Sequence, residues 1–567
     1  MATKVKLIAD GVITPDQITL TTASSGTNTT APATTAFVQQ EISALVDSSP
    51  AALNTLNELA AALGDDANFS TTVTNSIALK APLASPTFTG TAEIPNLTTG
   101  GQQGTDGQLL TSTGSGIAWE DAPAGGPTFK TFGTDSIMIG DNATGTIDAA
   151  NYNTGLGVNV FGKLTTGDEN VAVGYNAGGT GASGDTTNSR NVAVGSHALY
   201  KITSGSINVA IGRQTMYNNT TGTGNLGVGT YSLYTNTTGA YNIGIGTSSL
   251  FANTTANYNT AIGHDTLKAN TTGTYNVAIG ALSLDANTTA SSNTAVGYAS
   301  LGANTTGTNN VAIGYEALKT NTTGTGNTIV GRMAGFSNTT ASNNTAFGQA
   351  ALYFNTTGTQ NVAVGNNALF WNSTANYNTA LGNTALQANT TGASNTAVGA
   401  DSLKANTTAS SNTAVGYASL GANITGAQNT ALGYEAGLAS TNEGNTFIGY
   451  RAGKTTTGYQ NTLIGGRAGE SVTSIRAVSL GYLSMQENVG STNGDVAVGY
   501  LAMQYKDTSD GGSIAIGQMA LRGVSNDKAT GKYNVAIGQY AMQYYTSAEN
   551  NIAIGKNTLQ NTTTGSS

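Results

Sequence analysis

Two histidines, no cysteine and scattered single charges are the groups from which any chemistry in this chain would have to be built. Catalysis needs unlike groups converging on one point. His197 follows Gly195 by two residues and His264 follows Gly263 by one, and neither has a second ligand at metal spacing, so both read as surface substitutions. Asp16, Asp65 and Asp66 read as turn or cap residues. Phosphate-loop, zinc-protease, calcium-loop and nucleophile-elbow signatures are absent from the sequence. No catalytic, cofactor or metal residue is assigned, and an enzyme is the last of the readings considered.

Aromatic side chains offer contact chemistry instead. Tyr200, Tyr217, Tyr234 and Phe251 recur at one register position, as do Phe336, Tyr353 and Phe370, with Phe354 and Trp371 beside the last two. Stacked rings can take a sugar face; the competing reading is that they only stabilise the surface they cover. A second concentration lies near the end of the chain, in Tyr500, Tyr505, Arg522, Lys528, Lys532, Tyr540, Tyr544 and Tyr545. Irregular loops on a regular scaffold are where recognition is expected, the alternative being a cap that protects the last strands.

What must position these residues is a repeat. From Gly195 to Gly433 a glycine returns every seventeen residues, closing the phrase Asn-(Val/Thr)-Ala-(Ile/Val)-Gly, as at Asn208 to Gly212, Asn276 to Gly280 and Asn310 to Gly314. Twenty-five copies run from about Thr134 to the end, with spacings that stretch to eighteen and twenty-one in the last copies. A fixed period means that stacked copies cover an apolar face none can bury alone. Alternating apolar residues before the glycine and Asn-Thr-Thr-Gly punctuation after it predict strand, turn, strand, turn: an all-β parallel β-roll or β-solenoid of about 17 residues per coil.

Two columns of asparagine, one four before the glycine and one seven after it (Asn219 to Asn423), are expected to stack as amide ladders. The invariant glycine is expected to need positive φ, whereas the Gly/Ala column at Gly222, Gly239, Ala256, Gly273 and Ala290 is not. Where the residue two before the glycine is large, the residue four after it is small: Met138 with Thr144, Ile329 with Gly335, Phe447 with Gly453, Leu463 with Gly469. Both positions therefore look into one crowded space.

The first 133 residues do not follow the repeat. Phe37, Val38, Ile42, Leu45 and Val46 are spaced for a helix, and Leu53, Leu56, Ala60 and Leu63 form a narrow coiled-coil seam. Parallel self-association is expected from so narrow a seam, a local helical hairpin being the alternative. Leu109-Leu110 and Ile117 to Trp119 are short strand candidates. The chain divides into an attachment segment (1–32), a helical trimerisation region (33–80), a neck with a small β module (81–133), regular repeats (134–480) and irregular distal repeats (481–567).

Charged residues make up only 9% of the chain, and the net charge of −9 has no basic stripe, which excludes nucleic acid as a partner. Without cysteine the chain is indifferent to redox compartment, and no eighteen-residue apolar run suggests a membrane helix.

The Asn-Val-Ala-Ile-Gly phrase resembles the head repeats of trimeric autotransporter adhesins, which implies a left-handed β-roll. Thr34 to Gly64, Ala81 to Thr91 (APLASPTFTGT) and Gly107 to Trp119 (GQLLTSTGSGIAW) look like bacteriophage tail-fibre sequence. That resemblance implies an extracellular virion fibre: a homotrimer fixed to other virion proteins by its N-terminus and touching a host surface glycan or protein. Many such fibres end in a self-cleaving chaperone, so processing after Ser567, in mid-repeat, is expected. The reading is a structural virion fibre for host attachment, with no cofactor. The runners-up are a spacer or decoration fibre carrying another receptor-binding protein, and a bacterial trimeric surface adhesin.

Overall fold

The computed structural model describes the strands between residues 98 and 140, and residues 150–565 apart from 180, 185, 489–492, 508–511 and 525–528. The attachment segment, the expected helices and coiled-coil seam, the Met138–Thr144 exchange and Lys528 lie outside the described residues. Gln108–Ser112 and Ile117–Asp121 form an antiparallel pair with Leu110 opposite Trp119, so both short apolar runs are strands as expected. Thr128–Thr131 pairs antiparallel with Ile137–Gly140, and from there each strand of the sheet is parallel to the one before.

Between Thr154–Leu156 and Ile552–Ile554 the chain makes about 23 turns of about 17 residues, an all-β parallel solenoid. Neighbouring coils pair residue for residue: Val209 with Leu226, Ala210 with Gly227, Ile211 with Val228. Successive side chains of a strand point to opposite faces. The middle residue therefore goes inside, and Ala210, Ala278 and Ala312 are fully buried while their flanking residues are not. Met216, Leu233 and Leu250, four after the glycine, complete the interior. The buried apolar side chains form two runs, Ala150 to Leu463 and Val472 to Ala553.

The repeat glycine has positive φ throughout the array, for instance 132° at Gly212, 124° at Gly280 and 138° at Gly314. The Gly/Ala column does not: Gly222, Gly239 and Ala256 are absent from the positive-φ residues, as their free exchange required.

The expected second strand is replaced by something else. After each glycine the residues two and four further on take left-handed φ, 56° at Gln214 and 51° at Met216, 60° at Tyr231 and 52° at Leu233. The two left-handed residues send their N–H groups in opposite directions along the stack. Gln214 N donates back to Ser196 O at 2.9 Å, and Met216 N donates forward to Ser232 O at 2.9 Å. A left-handed L-residue costs about 1–2 kcal/mol. Inter-coil hydrogen bonds satisfy backbone groups that would otherwise be buried unpaired and so offset that strain.

Both asparagine columns form ladders over most of the array, with gaps on either side of Asn338, which bonds Ala341 instead, and at Asn412, whose Nδ2 has no partner among the described residues. Asn208 Oδ1 accepts from the backbone N of Asn225 at 3.0 Å and from its Nδ2 at 3.1 Å, while Asn208 Nδ2 donates to Asn191 Oδ1 at 3.0 Å and Gly222 O at 2.9 Å. Asn276 repeats the pattern on Asn259 and Ala290, and Asn310 bonds Asn293 and Gly324. In the second column Asn236 Nδ2 donates to Asn219 Oδ1 at 2.7 Å and to Gly239 O at 2.9 Å. Each of these amides is fully buried, and each is hydrogen-bonded. Leaving one unsatisfied would cost about 1–3 kcal/mol.

The large-for-small exchange is one shared space. A Cβ added to Gly453 would overlap Cδ1 and Cε1 of Phe447, and one on Gly469 would stand 2.6 Å from Leu463 Cδ1. The Phe447 ring also reaches the preceding coil, where a Cβ on Gly437 would lie 2.7 Å from its Cε2. Gly453→Leu is therefore expected to destabilise by about 1–3 kcal/mol in the native background. In a Phe447→Ala background the penalty should shrink by at least about 0.5–1 kcal/mol, read from thermal or urea unfolding of the four proteins of the cycle. Additive effects would refute the shared space.

Candidate functional site

The two histidines have only local partners. His197 Nδ1 lies 2.9 Å from Ser196 Oγ and Nε2 lies 3.0 Å from Asn176 Nδ2, while its ring packs 5.2 Å from Tyr175 and 5.1 Å from Tyr200. Partial burial, and then the Arg213 charge, hold its pKa below the ordinary histidine value. His264 is exposed beside Asp265, 3.6 Å away, and the same carboxylate pairs with Lys268 at 3.1 Å. Among the described residues no group of three His, Cys, Asp or Glu side chains is placed to hold a metal ion. No helix among them is long and apolar enough to cross a membrane.

The surface is organised by aromatic columns, because stacking coils brings equivalent side chains together one coil apart. Tyr200, Tyr217, Tyr234 and Phe251 form one continuous stack with centroid spacings of 4.9, 5.2 and 5.2 Å. Phe336, Tyr353 and Phe370 form another at 5.1 and 5.2 Å, with Phe354 and Trp371 stacked beside it at 4.3 Å. Offset stacking at these distances is favourable, by about 0.5–1.5 kcal/mol per pair beyond burial. Rings inside a stack have ring neighbours on both faces. Trp371 is stacked on Phe354, is 48% exposed, and is followed one coil on by Ala388, so it ends its column.

Sequence reasoning missed two further columns. Tyr241, Tyr258 and Tyr275, five before their glycines, stack at 5.2 Å. Tyr298 with Tyr315, and Tyr417 with Tyr434 and Tyr450, follow their glycines by one and stack at 5.2–5.5 Å. All are among the exposed large side chains. Their register was present in the sequence, since each recurs at the coil period.

In the distal coils Tyr500 and Tyr544 are exposed, and Tyr505, Arg522, Lys532 and Tyr540 are partly so. Of these the structure brings Arg522 over the Tyr505 ring, 5.7 Å from its centroid, while Arg522 Nε donates to Gln504 Oε1 at 3.0 Å. Tyr500 stacks on Tyr482 at 6.0 Å. Lys532 sits over Tyr533 at 5.9 Å. Tyr545 corrects the expectation: it is fully buried, so it belongs to the interior and presents nothing to a partner. It stands seven after Gly538, in the column occupied elsewhere by buried asparagine.

No family model matches the chain, and no solved structure matches it. Over 64 residues the chain is 67% identical to a probable tail fiber protein of Escherichia phage P2, a match that covers 11% of this chain and 10% of that relative.

Proposed function

We propose that the protein is a component of a phage virion: a fibre whose solenoid forms the shaft of a homotrimer and attaches the particle to a host surface. The observation that carries this reading is the outward face of the strands. On it, the residues between the buried alanines and the glycines form an apolar column, including Ile211, Ile279, Ile313, Phe347, Leu381 and Leu432, each 38–48% exposed, while the residue on the other side of the alanine is often threonine. Stacked at about 4.8 Å per coil, such a column makes an apolar stripe far longer than a monomer normally leaves in water. Three copies meeting along it would cover it. Similarity to a tail fiber protein supports the virion assignment, and residues 1–32 would fix the fibre to the particle.

Light scattering on the purified chain should then give three times the chain mass. Replacing Ile279, Ile313 and Phe347 together by Lys should give a monomer, and a wild-type monomer would overturn the trimer. The isolated trimer should also compete with virions for host cells. The uniform coils and dispersed distal side chains favour, as a second reading, a spacer carrying a separate receptor-binding protein. Failure to compete would select it.

A further inference from the structure

Both buried asparagine columns change character in the distal coils. Asp495 takes the position four before Gly499, and Lys506 the position seven after it, while in the preceding coil Asn488 restores the asparagine that Ser440, Thr456 and Val472 had replaced. Glu487–Asn488 and Tyr505–Lys506 pair in parallel, with Asn488 opposite Lys506. All three side chains are fully buried.

Asp495 bridges the other two. Its Oδ1 accepts from Lys506 Nζ at 2.7 Å and from Ser513 N at 2.9 Å, and its Oδ2 accepts from Asn488 Nδ2 at 3.3 Å. Asn488 Oδ1 is buried without a hydrogen-bond partner among the described residues, and so is the Tyr545 hydroxyl. Burial holds the Lys506 ammonium below the usual lysine pKa, against the opposing pull of Asp495. The Tyr545 hydroxyl is pushed upward by burial and then by the Asp495 charge, which places that ring in the field of the same carboxylate.

A structural ion pair would need only Lys506 and Asp495. Here an amine and a carboxamide lie on the two oxygens of one carboxylate, away from water, with the amide oxygen unengaged. Amine nucleophile, acyl group and proton shuttle are thus held together in one dry site, where proximity replaces a bimolecular encounter.

We propose that Lys506 and Asn488 join in an intramolecular isopeptide bond, with Asp495 as its catalytic residue. Asp495 Oδ1 takes one proton from the Lys506 ammonium, and the neutral Nζ attacks Asn488 Cγ. The carboxyl returns that proton through Oδ2 to Nδ2, the Cγ–Nδ2 bond breaks and ammonia departs. The proton shed by the new amide nitrogen remains on the buried Asp495 carboxyl. Atoms and charge balance without an oxidant, a metal or a cofactor. The product is a covalent tie between two coils at a place where the asparagine ladder is interrupted.

Intact mass of the denatured full-length chain tests this. The wild type should be lighter than its sequence by one ammonia, about 17 Da. Tryptic digestion should yield a branched peptide joining the segments that contain Asn488 and Lys506, uncleaved after Lys506. Lys506→Arg and Asp495→Asn should both show the full sequence mass. A wild-type chain at full mass overturns the proposal whether or not the variants fold. So does a deficit that maps to a succinimide at Asn493, which precedes Gly494. A cross-link that persists in Asp495→Asn would remove Asp495 from its role.

Discussion

Gly314→Val is expected to unfold the central coils. Two costs fall on one residue. The native φ of 138° is a conformation that L side chains rarely adopt and β-branched ones least of all. In addition, a Cβ at this position would stand 2.7 Å from the carbonyl carbon of Gly331 and 3.2 Å from Arg332 N, and would overlap the Gly331 oxygen. These are backbone atoms of the next coil and cannot rotate away. Moving them would break the bond from Gly331 N to Ile313 O, now 2.8 Å, and shift every ladder built on the same register. The expected loss exceeds about 4 kcal/mol, in the range reserved for backbone strain combined with core disruption. Circular dichroism melts and limited proteolysis should show it, with new cleavage between Gly297 and Gly331. Gly307→Ala is the comparison, because its column carries Ala256 and Ala290 without positive φ, although a Cβ there would also overlap the Gly324 oxygen of the next coil. It should cost less than Gly314→Val, since a close contact must be relieved but no left-handed backbone is imposed on a side chain. A Gly314→Val protein that melts like the wild type would refute the account of the repeat glycine.

The contrast between these two glycine columns was legible in the sequence, because one never varies and the other exchanges with alanine. The asparagine ladders and the space shared by Phe447 and Gly453 were legible for the same reason. A stacked array repeats its contacts at the coil period, so each column reports one environment many times. Where a contact crosses from one coil to the next at a different register, as between the Phe447 ring and Gly437, that signal is lost.

The left-handed residues after each glycine were hidden for another reason. At the first of the two positions the side chains vary from His197 and Gln214 to Tyr231 and Asp265, and at the second the recurring Leu and Met mark the core and not the backbone state that inter-coil hydrogen bonding imposes. The surface set was read by composition where register was the better guide. Counting from Gly538 places Tyr545 inside, and counting from Gly246 and Gly297 finds the Tyr241 and Tyr298 columns. Asn488, Asp495 and Lys506 likewise stand out only once the two columns are followed into the distal coils, where a charge in an asparagine position is the anomaly.

If register is what the fold protects, length should be negotiable and phase should not. Asn287 to Gly307 reappears almost unchanged at Asn406 to Gly426, which is seven coils later. Removing residues 288–406 joins Asn287 to Thr407 in phase and leaves every remaining coil complete. The shortened protein should fold, keep its melting profile and lose about 34 Å of rod, seven coils at about 4.8 Å each. Removing 288–414 instead brings Gly280 to within nine residues of Gly416, too few to encircle the core, and should break the rod. Electron microscopy of the two deletion proteins beside the wild type measures this directly. The account predicts a continuous rod shorter by about 34 Å for the first and a broken or unfolded one for the second; a continuous, equally stable rod from both would contradict it.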